Sequence, residues 1–346
     1  MLNLDSLFKT AVAEGASDVH LIVGLSPYLR VDGVLKPLTK IEALTAKEVE
    51  NSVFGLLDQK QIERFKEDRE LDLSYEINGG NRFRINLHYE KGCVGLSARL
   101  IPVKIPTLEE LVMPEATLGL IDQRPGLVLL TGPTGSGKST TLASMLEHIN
   151  QTRAENIFTL EDPIEFVFKP AKSIVRQRQL LNDMLTFEAG LVHVLRQDPN
   201  VIMVGEMRNL ETIATTITLA ETGHLVLATL HTYNSAQTID RIIDSFPPHQ
   251  QNQIRLQLSL TLKGVISQRL LPKVDGGRIA TREVLLNNPA VANLIRENKV
   301  PQIKNVIQTA GAEGMFAMDQ DIQSLYKKKI ISKEVALANL TTTRKI

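Results

Sequence analysis

The 346-residue chain holds a single cysteine, Cys93. That excludes a disulfide within the chain and any zinc site that needs two or more thiolates. Charge of either sign is not in excess: 39 Lys and Arg stand against 39 Asp and Glu, a formal net charge of zero. Such a balance argues against a nucleic-acid coat or a polybasic membrane anchor. Long apolar runs are missing too. Residues 126–130 and Leu225–Leu230 fall far short of the ~20 residues a membrane span needs. Asp5 interrupts the N-terminus before an apolar run can form, which predicts no export signal. Aromatics make up only 4% of the chain, and the modest basic clusters at 169–178 and 327–329 lack the aromatic interleaving of a nucleic-acid motor. No internal repeat, low-complexity tract or heptad array is present. At 43% hydrophobic residues the chain can still build real cores, and its length predicts two domains at about 150 residues each.

The first hundred residues read as a small α+β domain. Leu4, Leu7, Phe8, Ala11 and Val12 share one helical face, which Glu14-Gly15 ends. Val19, Leu21 and Val23 alternate as a half-buried strand does. Tyr28–Val31 and Val34–Pro37 flank Asp32-Gly33, a two-residue hairpin signal. A helical stretch is expected over 48–65, then strands near 71–77, 82–88 and 94–101, with Asn78-Gly79-Gly80 turning between the first two. The three prolines in 102–114 predict a linker. Beyond it, short apolar runs at 127–130, 157–160, 201–204 and 225–230 alternate with helical stretches. Runs apolar on both faces belong to a parallel sheet covered by helices. Helical patterns take over after about residue 285. The expected division is 1–101, linker 102–114, an α/β core at 115–285 and a helical region at 286–346.

Gly132-Pro133-Thr134-Gly135-Ser136-Gly137-Lys138-Ser139 follows a strand-like run and precedes a helix-compatible stretch, the context a phosphate-binding loop requires. Its glycines let backbone N–H groups turn inward around phosphate oxygens, and the following helix adds its positive N-terminus. Thr134, Gly135, Ser136, Gly137, Lys138, Ser139 and Thr140 are the candidate ATP-binding set, with Lys138 reaching the β- and γ-phosphates and Ser139 holding Mg²⁺. Hydrolysis further needs a group that orients a water. Two acidic clusters end strand-like runs: Glu161-Asp162-Pro163-Ile164-Glu165 and Gly205-Glu206. Ligands of open α/β sheets sit at that carboxyl end. Glu206 and Glu165 are both candidates for the catalytic carboxylate, Glu206 also for the Mg²⁺ water, and Glu161 and Asp162 are subsidiary ones.

His224 and His231 bracket Leu225–Leu230, so a strand between them puts them at opposite ends and they cannot share one metal. His231 is expected beside the γ-phosphate, His224 where a neighbouring subunit could use it. His20, His88, His148, His193 and His249 have no spacing that suggests a site.

Taken in order, residues 132–140, the Glu161–Glu165 box, Asp198-Pro199 with Val204-Gly205-Glu206-Met207-Arg208, and Thr222-Gly223-His224 through Leu230-His231-Thr232 resemble the Walker A, Asp box, Walker B and His box of the type II/type IV secretion ATPase superfamily. Within it the chain most resembles the type IV pilus retraction ATPases. Gly15-Ala16-Ser17-Asp18-Val19-His20-Leu21, Gln268-Arg269-Leu270-Leu271-Pro272 and Leu294-Ile295-Arg296-Glu297 extend the likeness nearly end to end. A lone cysteine and a short N-terminus fit that branch rather than the assembly ATPases. The segment from Ala290 to Glu297 departs from the branch's motif, with Ala292 where its first arginine stands and Arg296 retained. The resemblance implies a RecA-like P-loop NTPase domain preceded by a PAS-like α+β domain. It implies a cytoplasmic homohexamer, peripheral at the inner membrane, that drives pilus retraction and twitching motility. An inner-membrane platform protein, indirectly pilin, and a second retraction ATPase are the implied partners; nucleic acid is not one. Arginines of the N-terminal domain are implied to reach the phosphates. In 82–88, period two puts Phe83, Ile85 and Leu87 on the core side and Arg82 and Arg84 on the other, which suits paired arginine fingers. An extension or secretion ATPase, an accessory motor and, more remotely, a RecA-like nucleic-acid motor are the alternatives.

Overall fold

Asn3 accepts a hydrogen bond from the Ser6 N–H and so caps α1 (Leu4–Ala13), whose Leu4, Leu7, Phe8 and Ala11 are buried. The computed structural model that contains this helix describes residues 2–31, 33–77, 80–101, 104–122 and 125–341. Asp32 of the first predicted hairpin turn, Asn78 and Gly79 of the second, and Pro102 and Val103 of the predicted linker lie outside the described residues. The chain forms two compact units, one of residues Met1–Lys104 with Pro163–Val167, the other of Ile105–Asp162 with Phe168–Ile346.

In the first unit α1 leads to β1 (Asp18–Leu21), β2 (Tyr28–Val31), β3 (Val34–Pro37), α2 (Ala46–Phe54), α3 (Gln59–Asp68), β4 (Glu70–Glu76), β5 (Arg82–Glu90) and β6 (Cys93–Ile101). The strands make an antiparallel sheet in the order β3-β2-β1-β6-β5-β4. The single helical stretch expected at 48–65 is two helices. Asp58 caps the second, accepting from the Gln61 N–H while Gln61 reaches back to the Asp58 N–H, and this reciprocal box restarts the chain in a new direction. The strand expected through Val23 ends at Leu21. Alternation on β5 is as read from the sequence: Phe83, Ile85 and Leu87 are fully buried, and Phe83 stacks on Phe8 with ring centroids 4.4 Å apart.

On the opposite sheet face, Arg84, Arg99, Asp18 and Arg30 stand in register across β5, β6, β1 and β2. Asp18 lies 2.8 Å from the Arg99 Nε and 3.9 Å from the Arg30 Nε. Burial works to raise the Asp18 pKa, but the Ser17 hydroxyl and Arg99 outweigh it and hold the carboxyl below its ordinary 3.8. Asp18→Asn should therefore cost about 1 kcal/mol at neutral pH in urea unfolding. With a depressed folded-state pKa, the contribution is complete above pH 3.8 and is lost as pH falls through the lower folded value. The stability curves of wild type and variant should converge in acid; a gap that stays constant through the acid limb would show that the charge contributes nothing.

The second unit runs α4 (Glu115–Asp122), β7 (Gly126–Thr131), α5 (Lys138–Thr152), β8 (Asn156–Glu161), β9 (Ile174–Gln179), α6 (Phe187–Val194), β10 (Val201–Val204), α7 (Leu210–Glu221), β11 (Leu225–Leu230), α8 (Ser235–Asp244), α9 (Pro248–Thr261), β12 (Leu262–Pro272) and β13 (Arg278–Leu286). Four further helices follow: α10 (Pro289–Arg296), α11 (Ile303–Thr309), α12 (Met318–Lys327) and α13 (Lys333–Asn339). The sheet order is β13-β12-β7-β11-β10-β8-β9, parallel except for β13. Every residue of β7, β10 and β11 is buried. This is the double covering that continuous apolar runs require. No helix among the described residues is long and apolar enough to cross a membrane.

Candidate active site

Parallel register brings the strand ends together: Thr131 of β7 pairs with Leu230 of β11, and Val204 of β10 pairs with both Ala228 and Leu160. The residues that follow, Gly132, His231, Gly205-Glu206 and Glu161-Asp162, thus line the carboxyl edge of one sheet. That edge is where an open parallel sheet holds its ligands.

Gly132 and Gly137 shape the loop. Both have positive φ, +147° and +86°. A Cβ on Gly132 would lie 2.2 Å from the Gln268 carbonyl oxygen, and one on Gly137 3.0 Å from the Gln268 side-chain nitrogen. Gly137 is also the N-cap of the 15-residue α5 and offers no side chain, so no side chain caps that helix end. The Ser136 hydroxyl is buried and has no hydrogen-bond partner among the described residues. Lys138 is buried, and its Nζ donates to the Gly132 carbonyl at 2.7 Å and the Pro133 carbonyl at 3.1 Å. Burial pushes its pKa down, opposed by the negative charge of Glu206. An ammonium that is penalised by burial and whose hydrogen bonds go to carbonyl dipoles would gain strongly from a full negative charge in direct contact. The glycine cradle, the open helix end and this lysine fit a triphosphate. Exposed Ser139 and half-buried Glu206 offer the hard oxygen donors that Mg²⁺ takes.

Glu206 sits in a cluster. Its Oε2 is 2.9 Å from Arg208 Nη2 and its Oε1 3.3 Å from His231 Nε2, while Arg208 Nη1 is 3.9 Å from Asp162 Oδ2. The hydrogen bond to Glu206, and then its charge, raise the Arg208 pKa. Thr229 donates its hydroxyl to the Gly205 carbonyl, and the Met207 N–H donates to the Thr229 carbonyl at 3.2 Å, so the backbone carrying Glu206 is pinned to β11. Glu161 is turned inward and buried, its Oε1 accepting from Thr159 at 2.6 Å and Gln177 at 3.1 Å. Thr134 and Gly135 are exposed in the loop, and Thr140 lies in the first turn of α5.

His224 stands at the other end of β11 from His231. Its Nδ1 donates to the Leu219 carbonyl at 2.9 Å, which closes the C-terminus of α7. Arg296 is exposed on α10, whose Val291 and Ile295 are buried, and its Nη2 donates to Asn293 Oδ1 at 3.4 Å. Arg82 and Arg84 lie on β5, and Glu165 falls in the 163–167 segment of the first unit. Arg208 had no role assigned from sequence, although its spacing two residues beyond Glu206 is the signal that could have found it. Gln268, against the loop glycines, was visible only as part of a motif.

The sequence profile of a family described as Type II/IV secretion system protein matches residues 2–339. The chain is 45% identical over 335 residues to the type IV pilus retraction ATPase PilT of Pseudomonas aeruginosa, covering 97% of each chain. It is also 45% identical over 332 residues to a twitching motility protein of Neisseria gonorrhoeae, covering 96% of this chain and 88% of that one. A crystal structure of the pilus retraction motor PilT with bound ADP superposes with a TM-score of 0.94 at 44% identity, covering 100% of this chain and 99% of the other.

Proposed function

We propose, on the premise that the chain belongs to the Type II/IV secretion system protein family, that it is the ATPase motor of type IV pilus retraction. Its fold is a RecA-like P-loop NTPase domain preceded by a small α+β domain; in this reading the small domain is PAS-like and covers 1–101, 102–114 is the linker, and 286–346 forms a helical appendage. The observation that carries the reading is that Lys138 in the glycine cradle and Glu206, flanked by Arg208 and His231, share one sheet edge in a chain so like the retraction ATPases throughout its length.

Lys138 exchanges the Gly132 and Pro133 carbonyls for β- and γ-phosphate oxygens of ATP. Ser139 and Glu206 would hold Mg²⁺, whose chemistry there would be to neutralise phosphate charge. Glu206 and Glu165 divide the tasks of holding the metal's water and orienting the attacking one. His231, with its Nε2 3.3 Å from Glu206 Oε1, senses the γ-phosphate. Arg82 and Arg84 stabilise charge on the transferring phosphoryl group. Copies assemble as a hexamer at the cytoplasmic face of the inner membrane, and His224 serves a neighbouring subunit. Arg296 faces partners from α10. Hydrolysis drives a hinge-type motion that is passed to an inner-membrane platform protein and so to pilin, with a second retraction ATPase as accessory.

Deleting the gene and counting surface fibres tests this. Accumulation of immobile pili is expected, loss of pili would assign the chain to assembly, and turnover strongly stimulated by DNA would assign it to nucleic acid.

A further inference from the structure

Two buried side chains, both far along the sequence, join the phosphate loop to a strained turn that precedes it. Gln268 on β12 is 2% exposed and Arg282 on β13 is 3% exposed, and the two are direct cross-strand partners. Arg282 Nε donates to Gln268 Oε1 at 3.0 Å, which fixes the amide orientation because a guanidinium cannot accept. The same oxygen accepts from the Thr141 hydroxyl at 3.0 Å, and Gln268 Nε2 donates to the Ser136 carbonyl at 2.7 Å, inside the phosphate loop. At the other end, Arg282 Nη1 and Nη2 donate to the carbonyls of Val112 and Leu111 at 3.1 and 3.0 Å. Burial lowers the Arg282 pKa to about 10, opposed by Asp321, so the group stays cationic at neutral pH.

The turn it grips is unusual. Val112 has φ +50°, a left-handed conformation that a β-branched residue adopts only under constraint. Val112 is 63% exposed, so packing does not impose that geometry. Local bonds from the Leu111, Val112 and Met113 amides to the Thr107, Glu109 and Leu108 carbonyls complete the turn. A purely structural staple would need no contact with the loop. This one ends on the carbonyl next to Gly137, in a loop whose Lys138 must change partners when phosphate arrives.

We infer that Gln268 and Arg282 are positioning residues that couple nucleotide occupancy of the phosphate loop to the 107–113 turn, near the start of the second unit. The inference rests on the nucleotide-binding reading above. Moving the Ser136 carbonyl shifts the Gln268 amide. That shift changes the grip of Arg282 on Leu111 and Val112, and Val112 tightens or relaxes. By reciprocity, constraint at the turn changes nucleotide affinity by the same factor.

Amide hydrogen exchange of the full-length protein, with and without saturating ADP and Mg²⁺, tests this, with ADP affinity measured by calorimetry on the same samples. In wild type, ADP should change exchange in 107–113 by about fivefold or more. Gln268→Glu keeps acceptors for Arg282 and Thr141 but sets a carboxylate oxygen against the Ser136 carbonyl. At saturating ADP it should still respond in 138–152 and lose the response in 107–113. Arg282→Lys, which keeps the charge without the fork, cuts the path at its other end and should give the same split, which covers the case where Gln268→Glu does not fold. A stapling role would slow or quicken exchange with and without ADP alike. The coupling is overturned if wild type binds ADP while 107–113 does not respond, or if a folded variant responds there as wild type does. Failure of wild type to bind ADP would remove the nucleotide reading and the coupling with it.

Discussion

Lys138→Ala should lower ATP turnover by about three orders of magnitude in a phosphate-release assay. The ammonium is buried and donates to the Gly132 and Pro133 carbonyls. A γ-phosphate arriving there offers charge where the loop offers dipoles, so removing the ammonium removes the largest electrostatic gain available at this sheet edge. The variant should fold. Burial depresses the Lys138 pKa, so the folded state already pays to keep that charge, and truncation should leave the melting temperature unchanged or slightly raised. Wild-type turnover in a folded variant would show that ATP is not split at this loop.

Glu206→Gln should reduce kcat by about 10²–10³-fold while ADP affinity changes little. The substitution preserves shape and leaves an amide that can still face Arg208, 2.9 Å from the carboxylate, and His231 at 3.3 Å. It removes the charge that attracts a water proton and that complements Lys138. Loss confined to kcat means the carboxylate acts in the transition state. Equal loss in kcat and ADP affinity would make it a binding group, and turnover within about twofold of wild type would transfer the water-orienting task to Glu165.

The parts of this site that the sequence made legible are those whose chemistry is local. A phosphate loop is readable because its glycines meet steric demands within eight residues, and the positive φ of Gly132 and Gly137 bears that out. The two histidines were separable because strand rise is fixed, and they do sit at opposite ends of β11. What stayed hidden depends on register between distant segments. β12 follows α9 with no intervening residue, and Gly264, the one breaker near its start, lies inside the strand at a register shift. β9 is polar and half-exposed, without the apolar run of its neighbours. Gln268 and Arg282 become partners only through cross-strand pairing, and nothing in Leu111-Val112 announces a left-handed turn, which normally advertises itself with glycine or asparagine. The division of 48–65 into two helices was readable in principle from Asp58 and Gln61.

β9 closes one flank of the seven-stranded sheet and carries exposed Arg176 and half-buried Arg178, while β13 on the other flank is bridged by Phe316 against Val284. A border strand with free ladder groups invites fusion with the same border of another molecule, and cationic side chains along it deter that fusion. Crowded copies of this polypeptide should therefore resist fibrillar precipitation, and any ordered gathering of them must use surfaces other than strand-to-strand zippering.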